Sequence, residues 1–245
     1  MKYELNKRLE SHESLLLQIK KIFSENGELV YKKRNEIKNI TFNDLVWNVK
    51  SFRVPNLLNK VVYTFFRESK AKRSYRYSQK ISEFVPEPLG YVEYYRFGLL
   101  NESYFVSKSF HYDLTIREIL FDYDPIEKEK ILKAFAKFSY ALHEAGICHL
   151  DYSPGNILIK REEAEYVFKI VDINRMQFGE MTIQQRAKNF ARVWLKDEDM
   201  KTIIKEYTVL ASYDYDKMVK MALEYSQQHK EKANFKKRLK ERRNR

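Results

Sequence analysis

The chain holds a single cysteine, Cys148, in 245 residues, so no intrachain disulfide can form and a reducing compartment is expected. Cys148 reads as a small buried filler rather than a reactive thiol. Five prolines and six glycines leave no flexible linker to divide the chain. No run reaches the ~18 consecutive apolar residues of a membrane-spanning helix, and the opening Met1-Lys2-Tyr3-Glu4 lacks the apolar core of a secretory signal. A cytoplasmic protein, with or without peripheral membrane attachment, is expected. The glycine-rich phosphate loops are absent too: neither Gly-x-Gly-x-x-Gly nor Gly-x4-Gly-Lys occurs. There are no internal repeats.

The residues that are present describe a folded protein. Hydrophobic residues make up 44% and aromatics 15%, enough for a sizeable core. The net charge is +12, and it is concentrated at one end. Between Lys230 and Arg245 nine Lys/Arg face two Glu, a net +7. Such a tail suits an anionic membrane surface, nucleic acid or an anionic substrate, or is simply a solvated helix end. No recognition-helix or base-stacking motif accompanies it, so dedicated nucleic-acid binding is not expected.

Hydrophobic periodicity predicts a helix over 12–24, carrying Leu15, Leu16, Ile19, Ile22 and Phe23. Strands are predicted at 28–31, 40–42 and 45–52, with a polar turn near 33–39. A helix is expected over 57–83, ended by Pro86-Glu87-Pro88, then strands at 89–95 and 103–107 and a short helix at 113–121. Asp124-Pro125 starts the clearest helix, repeating Ile131, Phe135, Phe138, Leu142 and Ala145 and stopping at Gly146. A hairpin follows, with strands 156–160 and 166–171 around residues 161–164. Beyond Gln177 the pattern is helical: 182–195, 197–210, and 214 onward into the tail. The order implies an α+β fold of one domain over 1–245. Its β-rich N-lobe spans about 25–107 and its mainly helical C-lobe about 108–228, followed by a basic tail over 229–245.

The chemistry is carried by His149-Leu150-Asp151-Tyr152-Ser153-Pro154-Gly155-Asn156, which runs into the apolar strand Ile157-Leu158-Ile159. Phosphoryl transfer needs one carboxylate to orient the attacking hydroxyl and hard oxygens to hold magnesium on the phosphates. Asp151 is the candidate for the first role. Asn156, brought back by the Pro-Gly turn, and Asp172 in Val171-Asp172-Ile173-Asn174 are candidates for the second. His149 is expected to shape the loop by hydrogen bonding rather than act as a base. Lys50 shares a strand face with Val46, Asn48 and Phe52, and a lysine turned inward needs an anion, which the α- and β-phosphates of ATP would supply. Without a glycine loop, side chains such as Lys33, Arg34 or Lys38 would have to cover the phosphates.

These residues resemble the protein-kinase-like superfamily, and within it the lipopolysaccharide core kinases, the Kdo/WaaP family. The resemblance spans about 25–200 and rests on Val49-Lys50-Ser51-Phe52, Ser69-Lys70-Ala71-Lys72-Arg73-Ser74-Tyr75, Pro86-Glu87-Pro88-Leu89-Gly90-Tyr91, the Asp151 loop and Val171-Asp172. It implies a two-lobed protein-kinase-like fold that uses ATP and Mg2+ to phosphorylate a sugar hydroxyl of the lipopolysaccharide inner core, Kdo or heptose, or another anionic glycan. It matches Asp151 to the catalytic Asp, Asn156 and Asp172 to the metal ligands, and Lys50 to the phosphate-binding Lys. Ser153 stands where protein kinases usually carry Lys, which points away from protein acceptors. The partner acid of Lys50 would be Glu68, or else Glu83. A soluble small molecule or a protein as acceptor, and a non-enzymatic pseudokinase, remain the alternatives.

Overall fold

The computed structural model describes residues 1–42, 45–121, 123–163 and 165–243. The chain forms two compact units: Met1–His111 with Asp172–Asn174, and Tyr112–Val171 with Arg175–Arg245.

The first unit opens with a strand, β1 (Lys2–Leu5), and two short helices, α1 (Glu13–Leu17) and α2 (Ile19–Glu25). Strands β2 (Glu28–Lys32), β3 (Glu36–Phe42) and β4 (Leu45–Phe52) follow, then α3 (Leu57–Val61), α4 (Lys70–Lys80), β5 (Pro88–Arg96) and β6 (Leu99–Lys108). The strands form one antiparallel sheet in the order β1-β5-β6-β4-β3-β2. Alternation along β4 sorts its side chains between two cores. Trp47 and Val49 pack with Leu16, Ile19 and Phe23 of α1 and α2. Phe52, on the other face, packs with Ala71 and Tyr75 of α4 and with Tyr91. Lys50 shares the Phe52 face.

Three expectations change in this unit. The predicted polar turn 33–39 shrinks to residues 33–35, because Glu36–Asn39 pairs on both edges, with β2 and with β4. Ladder pairing on two sides overrides the weak strand propensity of Glu, Lys and Asn. The predicted helix 57–83 is broken: α3 runs into a π turn over Val62–Phe66, Arg67 turns extended, and Ser69 starts α4 by accepting from the Lys72 N–H at 3.1 Å. Residues 2–5, unassigned from sequence, add a strand because β5 offers them a free edge.

The second unit begins with β7 (Leu114–Thr115) and α5 (Ile116–Ile119), where a short helix was expected over 113–121. Next come α6 (Pro125–Glu144), β8 (Ile147–His149), β9 (Ile157–Glu162), β10 (Glu165–Ile170) and β11 (Met176–Phe178). Helices α7 (Ile183–Phe190), α8 (Asp197–Ala211) and α9 (Tyr215–Arg243) complete it. Helix α6 starts as predicted: the Asp124 side chain accepts from the Glu127 N–H at 2.8 Å, and Pro125 is the first helical residue. Its buried side includes Ile131, Phe135 and Leu142. Gly146, at φ +67°, ends it, and a Cβ there would lie 2.9 Å from the Gly179 carbonyl oxygen. The hairpin β9–β10 is longer than expected because pairing continues to Glu162 and Glu165; Ala164, assigned from sequence to its turn, lies outside the described residues. The basic run continues α9 to Arg243, and Asn244 and Arg245 lie outside the described residues. No helix among the described residues is long and apolar enough to cross a membrane.

Candidate active site

In the second unit, the segment that leaves β8 is fastened at nearly every residue. The His149 carbonyl accepts from Asn189 Nδ2 at 2.9 Å, and the Leu150 carbonyl accepts from Arg192 at 2.5 Å. Tyr152 is fully buried, its hydroxyl 2.9 Å from Ser139 Oγ and its ring beside those of Phe135 and His149. Burial pushes its phenol well above the ordinary range. The Asp151 carbonyl accepts from the Ser153 N–H at 2.7 Å and from Asn156 Nδ2 at 2.9 Å.

His149 ties this loop to the strand that precedes Asp172. Its ring is completely buried. Nε2 lies 3.0 Å from the Val171 carbonyl, so it carries the proton and donates. Nδ1 is then the acceptor for the Asp151 N–H, also at 3.0 Å. The imidazole is therefore neutral and acts as a strut, in line with the structural role expected from sequence.

Behind it lies a second buried histidine. His143 Nε2 lies 3.1 Å from Asn189 Oδ1 and Nδ1 lies 2.9 Å from the Tyr207 hydroxyl, which also accepts from Arg186 at 3.1 Å. Asn189 thus spans from His143 to the carbonyl of His149. Burial, with Arg186 nearby and opposed by the Asn189 bond, pushes the His143 pKa down to about 4. Sequence reading missed Tyr152, Asn189, Arg192 and His143, and no local signal marks them, because their partners are far away in the chain.

Two functional groups come out of this framework unpaired. The Asp151 carboxylate is half-buried and makes no hydrogen bond or ion pair among the described residues. Asn156 spends its amide nitrogen on the Asp151 carbonyl, which leaves Oδ1 as an acceptor without a partner among the described residues. The Asn156 backbone joins the adjoining strand, its carbonyl accepting from the Val171 N–H at 2.9 Å. Gly155 lies under Arg117: a Cβ at 155 would stand 2.6 Å from that guanidinium. Cys148 is half-buried, and burial raises its thiol pKa, against nucleophilic use.

In the first unit, Lys50 and Asp172 meet. Lys50 Nζ donates to Asp172 Oδ1 at 2.7 Å, and the lysine side chain is only 12% exposed. Strand β4 is interior, between β3 and β6, so Lys50 is not an edge lysine turned to water. Asp172 has φ +58°, a left-handed conformation uncommon outside glycine and stored preferentially at functional positions. Asn174 Nδ2 donates to the same Oδ1 at 2.5 Å, which accounts for an Asn two residues after the Asp.

Two expectations are corrected here. Glu68 does not pair with Lys50; its carboxylate takes Arg76 at 2.5 Å and Lys72 at 3.4 Å. Glu83 is not a Lys50 partner either, and α4 carries no acid at all from Lys70 to Lys80. With no carboxylate on the helix facing it, the lysine turns to Asp172. Lys38 is not available to cover phosphates: its ammonium donates to the carbonyls of Phe23 at 2.7 Å and Asn26 at 3.3 Å, capping the end of α2. Lys33 lies over the ring of Tyr31.

Asn156 Oδ1 in the second unit and the Asp172 carboxylate in the first are each a hard oxygen donor, of the kind taken by a divalent cation that keeps waters and phosphate oxygens as its other ligands. No cluster of three His, Cys, Asp or Glu placed to hold a metal occurs among the described residues.

Comparison with known proteins agrees with this reading. The chain resembles a solved structure described as WaaP in complex with acyl carrier protein, with a TM-score of 0.63 at 13% identity, covering 96% of this chain and 98% of that one. At that identity the likeness speaks for the fold alone, a protein-kinase-like one with a β-rich N-terminal sheet and a helical C-terminal part. No curated protein matches the sequence. The Lipopolysaccharide kinase (Kdo/WaaP) family, by contrast, matches residues 63–213, well over half of the chain. The chain therefore belongs to the Kdo/WaaP family of lipopolysaccharide kinases.

Proposed function

We propose that this kinase transfers the γ-phosphoryl group of ATP to a sugar hydroxyl of the lipopolysaccharide inner core, on Kdo or heptose. The observation that carries the proposal is the Asp151 carboxylate. Its backbone is held by His149, Ser153 and Asn156, while its oxygens are left without a partner among the described residues. A fixed acceptor of this kind orients a hydroxyl and takes its proton late, which suffices for a loose phosphoryl transition state.

Lys50 would bind the α- and β-phosphates, exchanging its present contact with Asp172 for them. Asn156 Oδ1 and Asp172 would hold Mg2+, which when bound neutralises the charge developing on the phosphates. Asn156 is kept in place by its bond to the loop, and Asp172 by its left-handed backbone and Asn174. Lys33 and Arg34 are the remaining side chains near the β2–β3 turn for the phosphates. An acyl carrier protein is a further partner worth testing, since the similar solved structure includes one. The basic end of α9 would add electrostatic attraction to an anionic membrane, at about 1 kcal/mol per Lys or Arg near the surface.

The test uses purified Kdo- and heptose-containing core oligosaccharide, labelled ATP and mass spectrometry of the product. Wild type is expected to add one phosphate. Asp151→Asn is expected to fold normally, bind nucleotide and lose transfer by at least about 10³-fold, the range of well-oriented acid–base and positioning groups. Near-full activity in Asp151→Asn would overturn the mechanism. Phosphorylation of a soluble small molecule or protein, but not of the core sugar, would overturn the acceptor.

A further inference from the structure

The first unit carries an apolar surface that its fold does not use. Leu57 and Leu58 of α3 are 71% and 72% exposed, and Phe65 and Phe66 of the following π turn are 68% and 81% exposed. Phe97, at the tip of the β5–β6 hairpin, is 91% exposed. Two bonds bring the hairpin and the helix to the same end of this unit. The Leu100 N–H donates to Thr64 Oγ1 at 2.9 Å, and Lys60 Nζ donates to Asn101 Oδ1 at 2.7 Å.

Phe97 is placed against its local preference. Arg96 pairs with Leu99, so Phe97-Gly98 is a two-residue loop, with φ +51° and +75° at the two positions. Such a turn favours Asn or Asp before Gly, and a bulky residue there is strained. The fold offers the ring one contact, with the Arg96 guanidinium, and leaves almost all of it in water. A large aromatic held at a steric cost, at the tip of a turn and beside four exposed apolar side chains, is a surface with a purpose.

The surrounding charge decides which purpose. From Arg53 to Arg67 there are three basic residues and no acid, and Arg96 lies over the Phe97 ring at 5.2 Å to its centroid. Both ends of the segment are tied: Asn56 caps α3 by accepting from the Asn59 N–H at 3.0 Å, and the Arg67 N–H closes the π turn on the Val62 carbonyl at 2.8 Å. A short helical segment with leucine and phenylalanine tips, flanked by Arg53, Lys60 and Arg67, has the chemistry of an element that lies in a bilayer interface. A protein-interface core, by contrast, tends to exclude lysine. Beside the helix, a cavity of about 370 Å3 is lined by Arg53, Asn56, Asn59, Tyr63 and Lys70 among others, polar groups suited to a phosphate headgroup.

We propose that the surface formed by Leu57, Leu58, Phe65, Phe66 and Phe97 inserts into the interface of an anionic phospholipid bilayer and anchors the enzyme there. The proposal goes beyond the kinase reading and does not need it. The basic end of α9, where Phe235 and Leu239 are also exposed, would act mainly by charge, whereas this surface would remain bound when charge is screened.

The experiment is sedimentation of the full chain with vesicles of phosphatidylglycerol and phosphatidylcholine, at low and at high salt. Wild type should retain a salt-resistant bound fraction. The variant Leu58→Ser/Phe65→Ser/Phe66→Ser should lose that fraction by at least tenfold and keep wild-type transfer to a delipidated core oligosaccharide. A second variant, Lys236→Ala/Lys237→Ala/Arg238→Ala, should lose only the salt-sensitive part. Phe66→Trp, with acyl-brominated lipid as quencher, reads insertion directly and does not depend on removing apolar residues. Three outcomes would overturn the proposal: no quenching of that tryptophan, wild-type binding by the triple serine variant, or absence of vesicle binding in a wild type that instead dimerises or captures acidic acyl carrier protein through the same residues. Failure of sugar phosphorylation with vesicle binding intact would count against the proposed acceptor alone.

Discussion

Replacing His149 with alanine removes both bonds that hold Asp151 to the strand before Asp172. The Asp151 N–H and the Val171 carbonyl, each 3.0 Å from the ring, are left without a partner in a fully buried place. A stranded buried donor or acceptor costs about 1–3 kcal/mol, and the space left beside Tyr152 adds to that, so a loss of about 2–5 kcal/mol is expected unless water refills the cavity. The larger effect is on catalysis. Misplacing a catalytic carboxylate by about 1 Å costs on the order of 10²-fold in rate. His149→Ala should therefore lower kcat by about that factor while changing the KM for ATP less than about threefold, since Lys50 lies in the other unit. Urea unfolding measures the stability, amide hydrogen exchange at Asp151 reports the freed loop, and steady-state transfer to core oligosaccharide gives the kinetics. Wild-type kcat with an unchanged exchange rate at Asp151 would refute the strut. So would a limb of the kcat–pH profile that disappears in the variant, because that would make His149 a proton carrier.

Other predictions follow from neighbouring contacts. Lys50→Met and Asp172→Asn should each abolish transfer, and each leaves a charge without its partner. The double variant should therefore be more stable than the sum of the singles by roughly 0.5–3 kcal/mol in a double-mutant cycle, and simple additivity would deny the 2.7 Å pair. His143 is held neutral by burial at a pKa of about 4, whereas an unfolded histidine titrates near 6.5. Its contribution is complete above about pH 6.5 and fades as pH falls toward 4, about 3 kcal/mol in all. The drop in urea midpoint from pH 7.5 to 4.5 should be smaller in His143→Gln, and an equal drop would exclude His143 as its source. Gly155→Ala forces the Arg117 guanidinium off the loop, since the new Cβ would be 2.6 Å from it. Lower activity that Arg117→Ala restores in the double variant is the expected result, and no loss in the single variant would show that the contact has no catalytic effect.

How far the sequence carries depends on how local each interaction is. Helix α6 was legible because its cap, its first proline, its apolar spacing and its terminal Gly146 all lie within one stretch. The Asp151–Asn156 loop was legible for the same reason: a turn motif and its strand are neighbours in the chain. The pairing of β1 with β5 was not, since a four-residue strand has meaning only against a partner some ninety residues away.

The choice of partner for Lys50 shows where sequence reasoning reaches its limit. Alternation along β4 placed the lysine on an inward face and required an anion, and both conclusions follow from covalent geometry and solvation. Which anion it meets is a matter of packing. Helix α4 presents Ala71 and Tyr75 to that face and no carboxylate, Glu68 is taken by Arg76 and Lys72, and Asp172 arrives 122 residues later in the chain. The sequence by itself determined which atoms are candidates to orient a hydroxyl or hold a metal, because residue types and short spacings set what each can offer. Only the tertiary structure decided which of those atoms are held still, which are left free, and which apolar side chains were never buried, because each of these depends on contacts made by residues far apart in the chain.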